Sequence, residues 1–251
     1  MTKAATKIPK AQKLDEAILA KSEFQRSDMA ARLNWLRAGV LGGNDGIMST
    51  SGMVLGVAGS NASASAILVA GVAAVVAGSI SMAGGEYTSV SAQKDSEKAA
   101  LALEKKELRD NPELELRELA WFYEEKGLSP EVAAKVAEEL TAKDALKAHA
   151  EAEFGIELGH HVSPVQAALS SFVSFAAGGL LPLFAVTGPW VAQRIPVTIA
   201  VTIASLALTG YVGAKLGAAK IMPGIVRNLV VSLLTMGITY GIGSLVGTHL
   251  V

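Results

Sequence analysis

Half of this 251-residue chain is hydrophobic, 18% is charged and the mean hydropathy is +0.39, with the apolar residues gathered in blocks rather than spread at a helical or strand period. That excludes an ordinary soluble domain. The absence of cysteine excludes disulfides, thiolate metal sites and a redox pair.

Residues 1–34 form a charged N-terminal segment expected on the cytoplasmic side. Leu14, Ile18, Leu19 and Phe24 make a weak apolar stripe between Lys and Arg. The stripe fits an amphipathic helix on the inner membrane surface, and equally a solvated or partner-packed helix.

Five nearly charge-free runs follow, over 38–60, 64–90, 165–187, 190–214 and 223–250. Each is long enough for the ~20 helical residues that cross hydrocarbon. The expected fold is an all-α membrane protein with five transmembrane helices. Helices 1–2 lie within 35–93, a cytoplasmic three-helix acidic insertion within 94–160, and helices 3–5 within 161–251. Lys and Arg number eight in 1–37, ten in 94–147, three in 215–227 and one, Arg194, between spans 3 and 4. With five spans the first three groups share one side, which the positive-inside rule makes cytoplasmic. No signal peptide or organelle-targeting segment is recognisable, and the loops are compact. The expected location is a bacterial inner membrane with a cytoplasmic N-terminus, a vacuolar membrane being the alternative.

Span 1 contains Asp45 within GGNDGIMSTSGMVLGV, and span 2 contains Glu86 within AGSISMAGGEYTSV. They are the only acids in the apolar runs. A charge at bilayer depth costs a few kcal/mol or more, and such residues usually face a pathway or a partner. Each carboxylate lies eight residues from the nearest flanking cation, Arg37 or Lys94, which places both at one depth. Met82 is one turn deeper than Glu86, and Met48 one turn deeper than Asp45. Carboxylate oxygen beside thioether sulfur suits a borderline divalent cation such as Fe2+, and the oxygens also suit Mn2+. The bland alternative has Asp45 bonding helix N–H groups at a glycine break and Met82 merely packing. Ser49, Thr50, Ser51, Ser79 and Ser81 are candidates for the same polar seam. Gly42, Gly43, Gly46, Gly52 and Gly56 keep span 1 thin for close helix approach, a symmetry mate included. Gly237–Gly241 and Gly243–Gly247 repeat the theme in span 5, and Pro182 is expected to bend span 3.

The insertion holds 17 of the 23 acids. Its helices are expected over about 91–110, from Pro112 to Gly127, and about 130–154. Leu101, Leu108, Leu114, Leu119, Phe122, Val132, Val136, Leu140 and Leu146 supply a small core. Glu104 with Glu107, and Glu115 with Glu118, are spaced i,i+3 on single helix faces. Across the Pro112 turn these four carboxylates can converge, with Glu153 and His149 joining from the third helix. Hard oxygen ligands on facing helices hold iron or manganese, although an ordinary bundle of Glu–Lys pairs fits the spacing as well. A di-iron oxidase would need Glu-x-x-His on two helices, and only Glu157–His160 has that form.

The stretches NDGIMSTSGMVLGV, SMAGGEYTSVSAQ, AEAEFGIE, SFAAGGLLPL and ITYGIGSLVG resemble the vacuolar iron transporter (VIT) family from about Leu33 to the C-terminus. The resemblance implies a five-span homodimer that moves Fe2+, often Mn2+, out of the cytosol in exchange for protons. It also implies Asp45, Met82 and Glu86 in the pathway, and Glu104, Glu107, Glu115, Glu118 and Glu153 in a cytoplasmic metal-binding domain. Where iron-selective members carry Met-Met before the last glutamate, this chain reads His149-Ala150. The soft ligands are replaced, His149 becomes a nitrogen ligand candidate, and Mn2+ gains weight beside Fe2+. The expected partners are the lipid bilayer, divalent metal ions, protons and a second copy of the chain, with no nucleic acid. No prosthetic group and no enzyme activity are expected, because no nucleophile–base set is present. The competing class is a metal-binding or metal-sensing membrane protein that does not transport.

Overall fold

The computed structural model describes residues 39–158 and 163–250. The N-terminal segment 1–34 and His160 lie outside the described residues. Among those described, every regular element is helical. They are α1 (described over 39–59), α2 (Ala64–Asp110), α3 (Pro112–Glu125), α4 (Pro130–Ala152), α5 (Pro164–Thr187), a 3-10 turn (Val191–Gln193), α6 (Arg194–Leu216) and α7 (Ile221–Leu250). By length and composition, α2, α5, α6 with its preceding turn, and α7 can each cross a membrane. Large apolar side chains such as Leu68, Val72, Val76 and Ile80 on α2 are exposed, as suits helices solvated by lipid.

The chain divides into two compact units. One comprises the residues up to Glu86 together with Val165 onwards, and the other is Tyr87–Pro164.

In the first unit the glycines of α1 bring backbones together within the chain. A Cβ on Gly178 of α5 would strike the Gly43 carbonyl, and one on Gly46 would strike the Phe175 carbonyl. At the other end of α1, a Cβ on Gly243 of α7 would strike the Gly56 carbonyl. Small residues therefore do here what packing between lipid-solvated helices requires. Of the two four-residue glycine pairs in α7, Gly243–Gly247 closes on α1, whereas Gly237 and Gly241 face open space. The α1–α2 link is a tight turn. Asn61 adopts φ 58°, a left-handed conformation that Asn tolerates, and the Ser63 hydroxyl accepts from Ala66 N–H to cap α2. Val54, Ile67 and Val186 form a core cluster beside the link. The α5 helix runs through Pro182, whose ring is buried. The α6 helix buries Thr198, Thr202, Leu206, Gly210 and Ala214, one every four residues. Thr198 returns its hydroxyl hydrogen to the Arg194 carbonyl at 2.7 Å.

In the second unit the helices start where proline and the first-turn acids place them. Pro112 opens α3 with Glu113 and Glu115 in the first turn, and Pro130 opens α4. Gly127 and Gly155, at φ 96° and 65°, end the helices in conformations other residues resist. Three expectations change. The helix expected to begin near residue 91 is the continuation of α2, because nothing from Tyr87 to Asp110 breaks a helix. The buried core is Leu119 with Ala133, Ala137, Ala148 and Ala150, while Leu114 and Val132 are exposed, so alanine lets α3 and α4 approach closely. Finally, α4 is broken at Asp144 (φ −168°, ψ 92°), whose Oδ1 accepts from Lys147 N–H at 3.0 Å. Aspartate competes with the helix ladder for backbone donors, and here it caps a second helical piece from within.

Candidate metal centre

Two groups of acids stand out, one in each unit. In the first unit a cleft of about 510 Å³ is lined by Asp45, Ser49 and Met53 of α1. Opposite them are Ala74, Ala77, Gly78, Ser81, Met82, Gly85 and Glu86 of α2, with Phe175 of α5. All three pathway candidates from the sequence, Asp45, Met82 and Glu86, therefore share one cleft. The Ser49 hydroxyl donates to Asp45 Oδ1 at 2.7 Å and orients the carboxylate.

The helix contacts revise the depths. A Cβ on Gly179 would lie 2.7 Å from Thr50 Oγ1 and 3.0 Å from Val75 Cγ2, so Thr50 and Val75 are level. Asp45 precedes Thr50 by five residues, whereas Met82 follows Val75 by seven and Glu86 by eleven. At a rise of ~1.5 Å per residue, Asp45 and Met82 agree in depth to about 3 Å, and Glu86 lies about 9 Å further out. The carboxylate level with Asp45 is thus replaced by a thioether.

Of the serine and threonine candidates, only Ser49 and Ser81 line the cleft. Ser51 and Ser79 are buried and return their hydroxyl hydrogens to the Met48 and Val75 carbonyls, and Thr50 is buried between helices. Met48 does not line the cleft, and Met53, two turns beyond Asp45, does. The spacing 45–49–53 is the signal that points to Met53, since every fourth residue shares a helix face.

In the second unit, Glu104 of α2, Glu115 of α3 and His149 of α4 meet in the interior. Their exposures are 1%, 4% and 0%. His149 Nδ1 lies 3.0 Å from Glu104 Oε1 and 3.8 Å from Glu115 Oε2, and ligand atoms of all three lie within 4.8 Å of one another. Neither ring nitrogen of His149 has a hydrogen-bond partner, nor has Glu104 Oε1. Buried polar atoms of this kind are rare unless something else fills their valence.

The remaining candidates surround this triad. Glu153 shares a hydrogen bond with Glu104, and Glu107 and Glu118 act on the cluster through their charge. Burial, then repulsion from Glu153 and Glu115, pushes Glu104 up to about 7. Burial first, then neighbouring carboxylates, also raises Glu115 and Glu153. Burial lowers His149, against the pull of Glu118, so its imidazole stays neutral and able to donate a lone pair. Among the described residues, Lys98 pairs with Asp95 and Lys147 with Glu151 at the surface. A divalent cation would supply positive charge to such a cluster. One nitrogen and several carboxylate oxygens on facing helices suit Mn2+, Fe2+ and their neighbours. Three of the six sequence candidates thus meet within 4.8 Å, and Glu107, Glu118 and Glu153 lie close enough to act on them.

Comparison with known proteins gives one consistent answer. Residues 36–244 match the family model described as the VIT family. A vacuolar iron transporter of Acanthamoeba castellanii is 45% identical over 214 residues, covering 84% of this chain and 78% of the relative. Vacuolar iron transporter homolog 5 of Oryza sativa subsp. japonica is 35% identical, covering 86% and 82%. Vacuolar iron transporter homolog 2 of Arabidopsis thaliana is 32% identical, covering 88% and 89%.

Proposed function

Because this chain belongs to the VIT family, a transporter family and not an enzyme family, we propose that it carries Fe2+ or Mn2+ out of the cytosol in exchange for protons. The observation that carries the reading is the buried Glu104–Glu115–His149 triad, whose ring nitrogens lack a hydrogen-bond partner. The acidic bundle, on the cytosolic side, collects the ion. Glu86 then receives it in the membrane cleft, and Asp45 with Met82 binds it in transit. Carboxylates that take up protons as the ion departs couple the two flows. In this reading α1 is the first of five spans, and a second copy of the chain completes a homodimer. Iron enters from the names of the relatives. Manganese enters from the donor set, which has nitrogen and oxygen but no sulfur at the bundle.

The test is flux through the full-length protein in proteoliposomes, with Fe2+ or Mn2+ outside and a pH gradient imposed. Metal uptake that collapses when the gradient is removed is the expected result. Metal binding without gradient-dependent uptake would overturn transport and leave a metal-sensing or storage protein.

A further inference from the structure

Three faces of α1 are taken by its own chain, and one is not. Gly43 and Gly46 close on α5, Gly56 closes on α7, and Ile47, Val54 and Leu55 are buried. The remaining face carries Leu41, Asp45, Ser49 and Met53, four residues apart. Leu41 and Met53 are 54% and 48% exposed, and the last three residues line the cleft. Met53 lies eight residues beyond Asp45, about 12 Å of helix rise. On the facing helix the cleft at that end is lined by Ala74, Ala77 and Gly78. None of these carries a side-chain heteroatom. Apart from Asp45, Ser49, Ser81, Met82 and Glu86, Met53 is the one described lining residue whose side chain offers a heteroatom.

An ion leaving Asp45 along this cleft passes Ser49 and Met53 on α1, while Ala74, Ala77 and Gly78 on α2 offer it nothing in exchange for lost water. A carboxylate there would hold it; an alkyl side chain would repel it. A neutral thioether binds weakly enough to release, as passage through successive sites requires. It also discriminates, since sulfur prefers softer cations to the hard Mn2+. From this placement we propose that Met53 is a specificity-determining contact of the cleft, a soft station beyond Asp45 and Met82 that favours borderline and soft divalent cations over Mn2+. The proposal rests on the transport reading above. A packing role needs only volume, which leucine reproduces, so Met53→Leu separates the two.

The experiment compares Met53→Leu with the unmodified full-length protein in proteoliposomes, using Co2+, Cd2+ and Mn2+ as separate cargoes. The expected result is a several-fold loss of Co2+ and Cd2+ flux with Mn2+ flux retained. Unchanged flux for all three, or equal loss for all three, overturns the proposal. A second measurement does not depend on flux. Cd2+ binding to detergent-solubilised Glu104→Ala protein, whose bundle site is disabled, is expected to weaken several-fold when Met53→Leu is added. Identical Cd2+ binding overturns the proposal. Absence of flux in the unmodified protein counts against transport alone, and the binding result still decides Met53.

Discussion

His149 Nδ1 stands 3.0 Å from Glu104 Oε1, and neither side chain reaches solvent. A neutral imidazole turned towards a buried carboxyl, without a hydrogen bond to it, is arranged for a third participant. His149→Leu fills similar space and removes the nitrogen. We expect the bundle to lose about tenfold or more in Mn2+ affinity, the range that disruption of metal-site partners commonly produces. Calorimetric titration of the full-length protein in detergent checks this. The Co2+ absorption bands, which report nitrogen ligation, should shift in the same variant.

The carboxyls of this cluster make the metal-free protein sensitive to pH. Glu104 is raised from 4.5 to about 7, so the folded chain keeps a proton that the unfolded chain releases between those values. The contribution of Glu104 to stability is therefore full below about 4.5 and is lost as pH rises through about 7, while His149, lowered by burial, acts in the opposite sense below 6.5. Glu115 and Glu153 are raised and act in the same direction as Glu104. Thermal unfolding of metal-free protein between pH 4.5 and 7.5 should show this loss as the difference between the parent and Glu104→Gln, in which the His149 contribution cancels. Saturating Mn2+ should reverse it at the upper end. Glu104→Gln should also weaken Mn2+ binding.

Asp144 marks the break in α4 that precedes His149. Its side chain caps the piece of α4 that carries the imidazole five residues later. Asp144→Leu removes the cap, at a cost of about 1 kcal/mol, and favours an uninterrupted helix that rotates His149 away from Glu104. Mn2+ affinity should drop in that variant. Asp144→Ser keeps a capping oxygen and should bind as the parent does. Equal binding by both variants would show that the break has no bearing on the site.

Close approach at Gly178 leaves no room for a methyl group, because the Gly43 carbonyl occupies its place. Gly178→Ala should lower stability by about 1–3 kcal/mol through overpacking. Gly241→Ala is the control, since nothing lies within 4 Å of that position. Thermal unfolding in detergent distinguishes them, with the control unchanged.

Much of this architecture is legible in one sequence. The apolar runs mark the helices, the prolines and glycines mark most of their ends, and the i,i+3 glutamates anticipate the acidic cluster. What escapes has definite causes. The α2 helix continues through Tyr87–Asp110 because helix-forming residues cross the point where the composition changes, and composition marks polarity rather than a break. Counting from Arg37 and Lys94 sets Asp45 level with Glu86, but the contacts of Gly179 set it level with Met82. Depth depends on how helices lie against each other, which flanking charges do not report. The bundle's leucines look like its whole core, yet Leu119 is buried among alanines, because helices that approach closely leave little volume for more leucine. Met53 has a signal in its 45–49–53 spacing, but the spacing alone does not single it out. A methionine in an apolar run matters only once the other faces of its helix are known to be covered.

At Gly43 with Gly178, and at Gly56 with Gly243, bare backbone presses on bare backbone near the two ends of α1. Side chains can hop between rotamers and let helices slip, whereas peptide groups in contact have no such freedom. Pinned in this way, α1 can neither roll nor slide without taking α5 and α7 along. Where α2 meets these helices the neighbours are side chains instead, Leu183 and Val54 at Gly71 and the Phe175 ring at Gly78. If the proposed transport involves helix movement, these contacts favour movement of α2 against a block of α1, α5 and α7. Spin-label distances from α1 to α5 should then stay fixed between metal-free and metal-loaded protein, while those from α1 to α2 change.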